Sequence, residues 1–118
     1  MNLMKRLLAA SFAVSAFAAA PAPVTIQGWV IDSSCTFTQN LAKPISAECA
    51  VACARKGSPL VIQTSDGTIY LPIAGKMPAA GQNARLMPFA GREVTVTGVP
   101  YERGGSRAIV IQSIALKK

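Results

Sequence analysis

The chemistry in this 118-residue chain concentrates in Cys35, Cys49 and Cys53. Thiolates hold soft ions such as Cu(I) and Zn(II). In an oxidising compartment they pair as disulfides, and an activated thiol exchanges electrons. Cys49 and Cys53 stand four residues apart in a segment with helix signals at both ends. Ser46 can cap its start, Glu48 falls in the first turn, Arg55 and Lys56 close it, and Gly57 stops it. A helix over Ala47–Lys56 puts both sulfurs on one face.

That spacing constrains the pairing. Side chains at i and i+4 of a helix have Cβ atoms about 5–6 Å apart, whereas a disulfide needs about 3.5–4.5 Å. An intact helix therefore disfavours a bridge from Cys49 to Cys53, but either can meet Cys35. The disulfide candidates are Cys35 with Cys49 or Cys35 with Cys53. Either would stabilise the chain by about 3 kcal/mol in the loop-entropy model. The metal alternative uses Cys35, Cys49 and Cys53 together as ligands for copper or zinc, with Asp32 or a methionine as a candidate fourth donor. Cys49 would occupy the third helical position, where the helix N-terminus favours thiolate.

Other chemistry finds little support. The chain has no His, which removes the commonest general base and metal ligand. Asp32, Glu48, Asp66, Glu93 and Glu102 include no pair that spacing forces together. No serine has a His partner to activate it. No catalytic residue is assigned, and an enzyme is disfavoured. Met77 and Met87 read as gap-filling apolar side chains.

The elements that must position the cysteines are mostly strands. Val24, Ile26, Gly28 and Val30 alternate with Thr25, Gln27 and Trp29 as a first strand. Leu60-Val61-Ile62 and Ile69-Tyr70-Leu71 flank Ser65-Asp66-Gly67, an Asp-Gly hairpin signal. Val94 to Gly98 and Ala108 to Leu116 supply the last two strands, joined by Arg103-Gly104-Gly105. A short helix from an Asn83 cap to Met87, ended by Pro88, separates the third strand from the fourth. This is the order of a mainly β, five-stranded OB-like barrel, with the cysteine-bearing helix inserted between strands one and two. Alternation places Val24, Ile26, Val30, Leu60, Ile62, Ile69, Leu71, Val94, Val96, Val110 and Ile114 in its core.

The first 20 residues read differently. Lys5 and Arg6 precede an uncharged apolar run of 14 residues, Leu7 to Ala20. A bilayer span needs about 20 such residues. The run fits a cleavable signal peptide over 1–20, with cleavage after Ala18 or Ala20 and a domain at 21–118. The expected location is periplasmic or secreted, with no transmembrane anchor after cleavage. About 98 remaining residues suffice for one domain.

Four blocks carry a resemblance. Gly28-Trp29-Val30-Ile31-Asp32-Ser33-Ser34-Cys35, Cys49-Ala50-Val51-Ala52-Cys53, Asp66-Gly67-Thr68-Ile69-Tyr70 and Phe89 to Gly98 resemble a family of small exported bacterial OB-fold-like proteins of unassigned function. The resemblance implies the same barrel and names no activity.

Without Lys5 and Arg6 the chain carries ten basic and five acidic side chains, a net charge of about +5. The charges are scattered, which suits a solvated surface or an anionic envelope surface. Trp29, Tyr70 and Tyr101 could stack bases on an OB face, but export separates the chain from cellular nucleic acid. The expectation is a non-enzymatic binding or structural module of the cell envelope. The alternatives are a thiolate metal-binding protein and a thiol redox protein.

Overall fold

The structure is a computed structural model, and residues 21–39 and 45–118 are described. The segment read as a signal peptide, 1–20, lies outside them. Five strands close a barrel in the order β1-β2-β3-β5-β4, with β4 returning to β1. They are β1 (Val24–Asp32), β2 (Leu60–Gln63), β3 (Ile69–Pro72), β4 (Glu93–Arg103) and β5 (Ser106–Leu116). Every pairing is antiparallel except β3 with β5. This is the small OB-like barrel the strand order implies, and closure leaves no long edge exposed.

β1 serves two neighbours. Its first two-thirds pairs with β4 and its end with β2, and Trp29 opposes both Glu93 and Gln63. Gly28 makes this crossing possible. A Cβ there would lie 2.6 Å from the Gln63 carbonyl oxygen and 2.8 Å from Ile62, closer than any side chain tolerates.

Val30, Ile62, Val94, Val96 and Ile109 fill the interior and are fully buried. Two helices close one end. Helix α2 (Ala47–Arg55) turns Ala50 and Ala54 inward, and α3 (Asn83–Leu86) inserts Leu86. A nine-residue helix is unstable by itself, so docking of the Ala face is what holds α2. Gly91, at φ +75°, allows the close approach. A Cβ on Gly91 would sit 2.7 Å from the Ala47 backbone.

The alternation assigned several core residues wrongly. Val24 and Leu71 are 37% and 41% exposed, and Ile69 and Val110 are half-buried. Antiparallel partners share a face, so Tyr70, opposite the buried Ile62, packs inward and Ile69 turns out. In β5, Ile109 and Ile111 are the buried pair. A bulge then shifts the register, because Thr97 opposes Ser113 while Gly98 opposes Ile111. The extra residue, Gln112, resets the phase so that Ile114 faces the core again. Of the displaced side chains, Ile69 and Leu71 line an open outer groove that also holds Phe37 and Val61.

A helix absent from the sequence expectation follows β1 directly. It is α1 (Ser33–Thr38), which carries Cys35 and packs against β1 and β2. Ile31 and Val61 oppose each other across the sheet and stay buried, although neither belongs to the barrel's interior cluster. The cover of α1 explains their burial. The Asn83 expectation also needs correction. Gln82, not Asn83, is the cap residue of α3, and Pro88 sits inside a 3-10 turn over Met87–Phe89 that continues the helix.

Candidate metal centre

The three cysteines meet where α1 and α2 cross beside the end of β1. Asp32, the last residue of β1, is 2% exposed and starts α1. Its Oδ2 accepts the backbone N–H of Cys35 at 3.1 Å and the Ser58 hydroxyl at 3.3 Å. Its carbonyl accepts the Thr36 hydroxyl at 2.7 Å. The chain is thus held through the turn that aims Cys35 at α2. On the other side, the Ser46 Oγ accepts the backbone N–H of Cys49 at 3.2 Å, the capping expected from the sequence. Cys49 and Cys53 then project one turn apart from the same face.

The three sulfurs lie within 4.8 Å of one another. They are close enough to bind one metal ion. Sulfurs sharing an ion at about 2.3 Å stand roughly 4 Å apart, so closing on an ion takes less than about 1 Å of movement. All three thiols are free. The sequence lets Cys35 meet either helix cysteine, and the structure brings its sulfur near both. Cys49 is exposed, whereas Cys35 and Cys53 are half-buried.

The electrostatics favour the protonated thiols of Cys35 and Cys53 while no cation is bound. The Cys35 thiol is pushed up to about 12, chiefly because the Asp32 carboxylate accepts its hydrogen bond, then by burial and by the charges of Asp32 and Cys49. Burial also raises Cys53, with Asp32 and Cys49 adding to it. A metal must therefore displace protons, and its binding weakens in acid.

The donor set is three sulfurs and nothing else among the described acidic and cysteine residues. Asp32, a candidate fourth donor, spends its carboxylate on Cys35 and Ser58 and acts as an orienting neighbour. Met87 packs against the core and Met77 lies 83% exposed in a loop.

One positioning residue escaped the sequence. The Asn83 Oδ1 accepts the Leu60 N–H at 2.8 Å, and its Nδ2 donates to the carbonyls of Ser58 at 2.8 Å and Ala54 at 3.2 Å. One amide thus fastens the end of α2 to the start of β2 and fixes Ser58, the partner of Asp32. The sequence offers Asn83 only as the cap of α3, so no local signal points to this clamp.

Tyr70 faces the core, Trp29 borders a surface dip beside Arg92 and Glu93, and Tyr101 is 45% exposed on the β4–β5 hairpin. No helix among the described residues is long and apolar enough to cross a membrane. Comparison with protein-family models, curated proteins and solved structures found no match.

Proposed function

We propose that this chain is an exported, non-enzymatic metal-binding module of the cell envelope that holds one copper(I) ion through Cys35, Cys49 and Cys53. The observation that carries the reading is the mutual approach of the three sulfurs within 4.8 Å. Tetrahedral zinc sites take four protein ligands, or three and a water, and among the described residues no carboxylate joins this trio. Three soft sulfurs without a harder donor suit copper(I). The N-terminal apolar run and the resemblance to small exported OB-like proteins support the envelope location.

Anaerobic titration of the reduced chain with copper(I) tests this. The reading expects saturation at one ion per chain and loss of binding in Cys35→Ser and Cys53→Ser. A chain that retains no copper while all three thiols titrate with a thiol reagent contradicts it. The same closeness supports a second reading, a disulfide from Cys35 to Cys49 or Cys53 that only stabilises the barrel. Under that reading the oxidised protein shows one free thiol after denaturation and no metal.

A further inference from the structure

A cavity of about 150 Å³ lies against the thiol cluster, with Cys35 and Cys49 in its wall beside Ile31, Asp32, Gln39 and Ala50. Cys53 is not part of that wall. A water occupies about 30 Å³ of liquid, so this space admits a short unbranched side chain. It adjoins Cys49, the exposed cysteine of the three. Metal sites that serve only structure enclose their ion with protein ligands, whereas reactive ones keep a position open. Three sulfurs, an adjoining cavity and an exposed ligand match the second pattern.

We propose that this cavity is the entry port for a sulfur side chain of a second protein, with which the site exchanges copper(I) by ligand substitution. The inference rests on the copper reading above. The incoming thiol releases its proton to solvent as its sulfur bonds the ion. The bond from the ion to Cys49 Sγ then breaks, and that sulfur takes up a proton. Copper remains in the +1 state and no electrons are transferred. Cys49 leaves first because it is the exposed ligand, while Cys35 and Cys53 are half-buried. The partner is thus a protein with an accessible cysteine thiol on a narrow projection.

The test uses the full chain loaded anaerobically with one equivalent of copper(I). It is mixed with bicinchoninate at fixed concentration as the colour reagent and with increasing N-acetylcysteine as the stand-in for the partner sulfur. The proposal expects the release rate to rise in proportion to the thiol. It also expects Gln39→Trp, which narrows the cavity without altering a sulfur, to keep one copper per chain and slow the thiol-dependent release at least tenfold. Release at a rate independent of thiol overturns the exchange proposal and leaves the copper reading standing. A thiol-dependent rate unchanged in Gln39→Trp overturns the port. Failure to bind copper removes both readings together.

Discussion

The Asp32 carboxylate accepts the backbone N–H of Cys35 at 3.1 Å and stands as the chief cause that raises the Cys35 thiol pKa. One buried side chain therefore begins α1 and acts on the sulfur that α1 presents. The same carboxylate explains why that thiol resists ionisation until a cation compensates the local negative charge.

Asp32 should accordingly shape the alkaline stability of the metal-free protein. The folded Cys35 pKa, about 12, lies above the ordinary value of 9.0. Its contribution is fully present below pH 9 and disappears as pH rises from 9 toward 12. Urea unfolding at several pH values should show this decline, and Asp32→Asn should flatten it. In the same variant Cys35 should react faster with iodoacetamide at pH 8.5. An equal or slower rate would remove the carboxylate's role.

Replacing Asn83 by Ala should cost about 2 kcal/mol, because the Leu60 N–H and two carbonyls lose their partner together. The loss should extend to copper affinity, since Ser58 and the end of α2 are released at once. A variant with wild-type urea stability would show that the clamp is not needed.

The turn between β2 and β3 offers an acid test. Asp66 is lowered to about 2 by the Thr64 hydroxyl, which donates to its Oδ1, and by the Thr68 N–H at 3.1 Å. A depressed carboxylate stabilises the fold above its unfolded value near 4, and that contribution is lost as pH falls from about 4 to 2. Asp66→Asn should therefore be less stable than the wild type at pH 7, and the two should converge near pH 2. A constant gap across that range would mean that charge is not the cause.

Gly91→Ala should disturb the site from a distance. The added methyl meets the Ala47 backbone at 2.7 Å, and φ of +75° disfavours an L residue. Strain of about 1–3 kcal/mol is expected, relieved by lifting the start of α2 and spreading Cys49 from Cys35. Weaker copper binding with the barrel's circular dichroism retained is the expected result; unchanged affinity would show that α2 does not depend on this contact.

Much of this organisation was legible in the sequence because its signals are local. Ser46 and Gly57 bracket α2, Asp66-Gly67 and Gly104-Gly105 place the turns, and i, i+4 spacing puts Cys49 and Cys53 on one face. Non-local causes hid the rest. Gln112 is visible as a bulge residue only once β4 is laid beside β5, so Val110 was assigned the wrong face. The role of Asn83 depends on three backbone groups up to 29 residues away. Helix α1 is only six residues long, too short to show an amphipathic period. Its one local signal is Asp32 three residues before Cys35, a capping pattern that also reads as a fourth metal donor.

X-ray absorption at the copper edge of the copper(I)-loaded protein tests the central claim most directly. It counts the atoms around the ion and distinguishes sulfur from nitrogen or oxygen. The account predicts one copper per chain with three sulfur neighbours, falling to two sulfurs or to no bound copper in Cys49→Ser. A first shell of nitrogen or oxygen, or three sulfurs persisting in Cys49→Ser, would contradict it.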